Sequence, residues 1–170
     1  MKVLPIAAAA GFAIAMAAQC FGQADCGKQG WSAGTIKEES NGIIFFVTVP
    51  ERCLGGGCGL IIDLAGQNMS ADAENLGTHL QDLVTKPDAS KPKRGFVLIQ
   101  AGGSGVPRSW HFQDPPNLYD YASCVIDQLH LSTKALHIGG FSQGAHIAAL
   151  LFCGYPIGSP AQLLSQAAPT

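Results

Sequence analysis

Hydrophobic and polar positions divide this chain into short apolar runs separated by stretches rich in glycine, proline or charge. Residues 42–50 (Gly-Ile-Ile-Phe-Phe-Val-Thr-Val-Pro) are β-branched and aromatic and stop at a proline, which predicts a strand. Thr35 to Glu39 is its expected hairpin partner, turning at Asn41-Gly42. Gly55-Gly56-Gly57 is a loop. Gly59 to Leu64 is almost continuously apolar, as a strand buried on both faces is. Ser70 then caps a predicted helix, with Asp72 and Glu74 in its first turn and Leu76, Leu80, Leu83 and Val84 on one face; Gly77 interrupts that pattern. Lys86 to Arg94 reads as a solvated surface loop. Gly95 to Ala101 is another buried strand, followed by a loop from Gly102 to Pro116. Asn117 is the expected cap of a helix in which Leu118, Tyr121, Ala122, Val125, Ile126 and Leu129 recur at helical spacing. Ala135 to Gly139 is a short apolar strand, and Ala145 to Phe152 is an apolar helix without a break. Gly154 to Thr170 is punctuated by Pro156, Pro160 and Pro169. From residue 59 onward strands alternate with helices, so the expected architecture is α/β: a mostly parallel sheet with right-handed crossovers and flanking helices, after an initial pair of strands.

Between the last strand and the last helix stands Gly140-Phe141-Ser142-Gln143-Gly144. A serine flanked by glycines at a strand-to-helix turn has the pattern of a nucleophile elbow. Side chains on either side of so tight a turn would collide, and glycine removes them while tolerating the backbone. The serine then projects from the sheet edge over a helix N-terminus, whose free N–H groups and partial positive charge favour a developing oxyanion. In a chain with 21 glycines the pentapeptide alone is weak evidence. The strand before it and the helix after it set it apart from an idle serine in a turn.

Composition narrows the partners. A formal net charge of -2 gives no basic excess, so nucleic acid is not an expected partner. Met1-Lys2 followed by an alanine-rich apolar stretch to Ala18 and by Gly22-Gln23-Ala24 reads as a secretory signal over residues 1–24, leaving one domain over 25–170. The stretch is short for a membrane span, so no membrane association is expected after cleavage. A lipid anchor at Cys20 is the weaker alternative, because Gln19 is a poor residue before a modified cysteine. Secretion permits disulfides. Of the six cysteines, Cys26, Cys53, Cys58, Cys124 and Cys153 lie beyond the signal. That odd number leaves one thiol without a partner in the chain. Cys53 and Cys58 flank the triple-glycine turn and suit a local bridge; spacing decides no other pairing. No C-x-x-C or regular His/Cys set is present, so neither metal nor cofactor is expected.

Three blocks carry a family resemblance: Leu60-Ile61-Ile62-Asp63-Leu64-Ala65-Gly66, Gly95-Phe96-Val97-Leu98-Ile99 and His137-Ile138-Gly139-Gly140-Phe141-Ser142-Gln143-Gly144-Ala145. Over roughly residues 40–155 the chain resembles the α/β-hydrolase superfamily, and more narrowly secreted esterases of the polyhydroxybutyrate depolymerase and feruloyl esterase type. The resemblance implies a secreted carboxylic ester hydrolase acting on a small-molecule or polymeric ester. Ser142 would be the nucleophile, and the backbone N–H groups of Gln143 and Gln67 the oxyanion donors. Trp110 and His111, in the long loop, would contact substrate; plain packing for Trp110 and solvent exposure for His111 are the bland alternatives. His137, in the strand below Ser142, is expected in the core, and His79 and His130 on helix surfaces. Asp63 is expected as a buried, hydrogen-bonded carboxylate.

Two departures qualify the resemblance. Where the family carries His-Gly before the oxyanion loop, this chain has Ala65-Gly66. The triad order in this fold is Ser, then Asp or Glu, then His, yet no Asp or Glu follows Ser142 and the only later histidine is His146, one turn into the elbow helix. The expectation is therefore the N-terminal part of a hydrolase, ending after the elbow helix and nearly inactive as it stands, with an exposed edge at the elbow strand. The alternatives are a degenerate, non-catalytic hydrolase-fold binding module and a carboxylesterase or acyl-thioesterase.

Overall fold

A computed structural model describes residue 26, residues 30–86 and residues 95–155. The signal over 1–24, the lipid-anchor alternative at Cys20, most of the predicted Lys86–Arg94 loop and the proline-punctuated tail lie outside the described residues. Strands β1 (Gly34–Ser40) and β2 (Ile43–Val49) form an antiparallel hairpin in which Ser40 pairs with Ile43. Asn41 and Gly42 both have positive φ, 51° and 77°, so the two-residue turn has the twist that matches its strands. Beyond one turn of 3₁₀ helix over Glu51–Cys53 lie β3 (Gly59–Leu64), β4 (Phe96–Gly102) and β5 (Leu136–Gly140). The sheet order is β1-β2-β4-β3-β5. β2 runs antiparallel to β4, while β3 pairs in parallel with both β4 and β5. The fold is α/β: a mixed, mostly parallel sheet with flanking helices.

β3 and β4 lie inside the sheet, and Leu60, Ile62, Leu64, Val97, Ile99 and Ala101 are all within the core. Helix α3 (Asp114–Gln128) covers one face through Leu118, Tyr121, Ala122 and Val125. Phe45 stacks on Tyr121 at 3.7 Å, and the Tyr121 hydroxyl donates to Glu38 on β1. Helix α4 (Gln143–Gly154) packs through Ile147, Ala148 and Leu151. Two disulfides form, Cys26–Cys124 onto α3 and Cys53–Cys58 between the 3₁₀ turn and the start of β3, and among the described residues Cys153 is the exposed free thiol. No helix among the described residues is long and apolar enough to cross a membrane.

Several elements differ from their sequence-based expectation. The helix after Ser70 is broken in two, α1 (Ala71–Thr78) and α2 (Leu80–Thr85), because His79 adopts a left-handed conformation at φ 53°. The break swings the expected apolar stripe apart: Val84 is buried, whereas Leu76 is 74% exposed. Helix α3 starts at Asp114 rather than after Asn117, since Pro115 and Pro116 fit a first turn that needs no N–H from them. His130 falls just past the end of α3, at φ 50°, and is exposed as expected. His137 is exposed, not core. It sits on β5, which among the described residues pairs with β3 alone, and Phe96 lies edge-on to its ring at 5.4 Å.

Candidate active site

The apolar end of β3 determines the geometry of the elbow. Phe141 donates its N–H to Leu64 O at 2.9 Å, and Gly144 donates to Phe141 O at 2.8 Å. The chain therefore reverses directly against β3. A Cβ on Gly140 would lie 2.6 Å from Leu64 O, and one on Gly144 only 2.1 Å from the same oxygen. No side chain fits at either position. Ser142, between them, is held at φ 51°, ψ -115°, where a residue with a Cβ persists only when its surroundings impose it. It is exposed, and its hydroxyl makes no hydrogen bond to a described residue.

The loop leaving β3 packs on the same turn. Gly66 is tight against Phe141, whose ring carbon would lie 2.9 Å from an added Cβ. Gln67 follows, exposed, and neither its N–H nor that of Gln143 donates to a backbone or side-chain acceptor among the described residues. Gln143 directly follows the serine, and Gln67 directly follows the glycine that packs on Phe141.

The Gln143 side chain bonds to the neighbouring loop. Its Oε1 accepts from Trp110 N–H at 3.1 Å and its Nε2 donates to Trp110 O at 3.4 Å, which clamps the β4–α3 loop to the elbow. The Trp110 indole donates to Ala65 O at 2.7 Å and is buried, so most of the ring is packing between the two loops. Its remaining edge lines a cavity of about 390 Å³ together with His111, Phe112, Pro115, Ile147, Leu150, Cys153, Gly154 and Tyr155. His111 is exposed at the rim of that cavity. The structure thus brings Ser142, Gln143, the Gly66-Gln67 loop, Trp110 and His111 to one end of the sheet. His146 is exposed on α4 and bonds to no described residue.

Sequence reasoning missed the burial of two acidic side chains here, Asp114 and Glu74. Asp114, fully buried, accepts from the Ser104 and His111 backbone N–H groups at 3.2 and 2.8 Å and from the Ser104 hydroxyl at 2.7 Å. Its place before two prolines at a helix start was the available signal. Asp63 is buried, as expected, and accepts from Gln100 Nε2 at 2.9 Å and from Thr78 at 3.4 Å. Glu74 is buried nearby with one carboxyl oxygen unpaired. Burial pushes its pKa up and the Asp63 charge adds to that, while a hydrogen bond from the Gly66 backbone opposes both. Among the described residues no cluster of three or more His, Cys, Asp or Glu side chains suits a metal ion.

A scan of known protein families finds no match to the chain, and a search of curated proteins finds none either. Among solved structures, the chain is similar to an S-formylglutathione hydrolase from Agrobacterium tumefaciens, at 15% identity and a TM-score of 0.46, over 76% of this chain. The match spans 57% of that protein's length.

Proposed function

We propose that the chain carries the nucleophile elbow of a secreted serine hydrolase of carboxylic esters. The observation that carries this reading is Ser142 itself, held at a strained backbone between two glycines that the end of β3 keeps free of side chains. In the reaction, Ser142 Oγ attacks the ester carbonyl and loses its proton to a base. The carbonyl oxygen becomes an anion held by the Gln143 and Gln67 N–H groups. Collapse expels the alcohol and leaves an acyl-enzyme, which water then cleaves. No described histidine or carboxylate is hydrogen-bonded to Ser142, so this reading takes the base from elsewhere.

The finer assignments are proposals of the same standing. The apolar first residues support a signal over 1–24, and two disulfides suit an oxidising compartment. Trp110 and His111 line an apolar cavity against the elbow helix, which supports the polyhydroxybutyrate depolymerase or feruloyl esterase type, with a polymeric or phenolic ester as substrate. A second reading, a degenerate binding module, is favoured by the absence of a base bonded to Ser142 among the described residues.

Fluorophosphonate labelling separates the two. We expect slow labelling of the mature chain that added imidazole accelerates by standing in for the base, and that Ser142→Ala abolishes. A folded sample that stays unlabelled even with imidazole overturns the hydrolase reading and leaves the binding module.

A further inference from the structure

Three segments meet at the elbow in a closed circuit of contacts. The elbow contributes Gln143, whose half-buried side chain holds the Trp110 backbone by its N–H and its C=O, at 3.1 and 3.4 Å. The β4–α3 loop contributes Trp110, whose buried indole donates to Ala65 O at 2.7 Å. The connection leaving β3 contributes Ala65, and that same oxygen abuts Gly144, where an added Cβ would lie 2.6 Å from it. Gly144 directly follows Gln143, so the circuit closes where it began. A second tie follows at Asn68, which takes a left-handed backbone at φ 62° and donates its N–H to Arg108 O at 2.6 Å. Arg108 Nη1 in turn donates to Gly42 O and Gly103 O, each at 3.2 Å. Gly66 and Gln67 therefore stand between two anchors, Ala65 and Asn68, and both anchors are bonded to the same loop.

We propose that Trp110 is a positioning residue of the candidate active site, with the Gln143 side chain as its partner: together they hold the connection leaving β3 at a fixed spacing from the elbow that carries Ser142. Trp110 is only 6% exposed, and its backbone N–H, its backbone C=O and its indole N–H are all engaged in the circuit. A ring that served only as packing would need no donor aimed at a buried carbonyl, and phenylalanine would fill the same space without one. The role suits a reaction in which a carbonyl oxygen becomes an anion, because the groups that receive that charge have to be in place beforehand. A misplacement of about 1 Å, caused by a change away from the reacting atoms, costs such a reaction about a hundredfold in rate. For the chemistry that is being positioned this rests on the hydrolase reading; the circuit itself does not.

The test uses the full mature chain with two substitutions. Trp110→Phe keeps the ring and loses the donor, and Gln143→Leu keeps the size and loses both bonds to the loop. Imidazole-assisted fluorophosphonate labelling of Ser142 is expected to slow about tenfold to a hundredfold in each. The double variant should be little slower than either, because the two changes break one circuit. Hydrogen exchange of the Trp110 indole N–H supplies a readout that a general loss of stability does not reproduce. In Gln143→Leu it is expected to quicken about tenfold while the amides of β3 keep their protection, although the indole and Ala65 are both still present. The Gln67 amide order parameter should fall from about 0.85 to below about 0.6 in Trp110→Phe. Labelling at the parent rate in the folded variants overturns the positioning role. Losses that multiply in the double variant, or indole exchange that Gln143→Leu leaves unchanged, overturn the circuit. An unmodified chain that never labels removes the hydrolase reading instead, and exchange and relaxation still decide whether the circuit exists. Should Trp110→Phe not fold, Gln143→Leu carries the labelling, the exchange and the relaxation measurements alone.

Discussion

Gly144 is the residue least able to change. A methyl group there would sit 2.1 Å from Leu64 O and 2.6 Å from Ala65 O, both backbone atoms of a central strand and its exit. Gly144→Ala is expected to lower stability by about 2–3 kcal/mol, read as a shift of the urea midpoint, because neither partner can retreat without breaking the sheet. Gly77→Ala is the control: an added Cβ there meets nothing within 4 Å, so a helical alanine should be neutral or slightly stabilising.

Glu74 gives a pH prediction at the same scale. Its pKa lies above the ordinary 4.5, first through burial and then through the Asp63 charge. The folded chain therefore holds this proton more tightly than the unfolded chain. The stabilisation from Glu74 is fully present below the ordinary value and is lost as pH rises through the folded value. Glu74→Gln stays neutral, so its unfolding midpoint should depend less on pH above 4.5 than that of the parent. Parallel midpoint-against-pH curves for the two proteins would show that Glu74 does not titrate in this way.

Among the elements, the two disulfides differ most in what they restrain. Cys26–Cys124 spans 98 residues of sequence and Cys53–Cys58 only 5. Closing the long loop removes more freedom from the unfolded chain, about 4.7 against about 2 kcal/mol by the loop-entropy relation. Replacing Cys26 and Cys124 by serine should thus cost more in thermal stability than replacing Cys53 and Cys58, in separate double variants compared by calorimetry. The hairpin and the buried strands were legible in sequence because Asn41-Gly42 and the Gly59–Leu64 run are local signals that no tertiary contact contradicts. The α1–α2 break was not. Nothing in Thr78-His79-Leu80 disfavours a helix strongly, and the left-handed turn at His79 follows from how the two segments pack on the sheet.

At the scale of the whole sheet, the described residues leave two edge strands, β1 and β5. Among the described residues β5 pairs with β3 alone, and Leu150 and Phe152 on α4 are 55% and 80% exposed. An unpaired strand beside exposed apolar side chains favours association. The mature chain is expected to show concentration-dependent self-association in sedimentation velocity. Phe152→Glu with Leu150→Lys should reduce it without changing the circular dichroism spectrum, and equal association of both forms would remove this patch as the cause.

By itself the sequence determined the α/β class, the strand pair before it and the glycine-flanked turn around Ser142, and it offered Cys53–Cys58 as a local bridge without fixing the pairing. Each of these is written in contiguous residues: a period, a turn dipeptide, two cysteines around a glycine turn, or glycines at a fixed offset. Tertiary structure alone decided what surrounds the serine. The Gln143 clamp on Trp110 joins residues 33 apart, the indole bond to Ala65 joins residues 45 apart, and Cys26 meets Cys124 across most of the chain. His137 and Asp114 make the same point from opposite sides. The histidine lies in an apolar run yet is exposed, because its strand ends the sheet. The aspartate lies in a polar loop yet is fully buried, because the loop folds its own N–H groups and a serine hydroxyl around the carboxylate. Local pattern reports what a segment can become; burial depends on which other segments arrive against it, and one-dimensional spacing does not encode that.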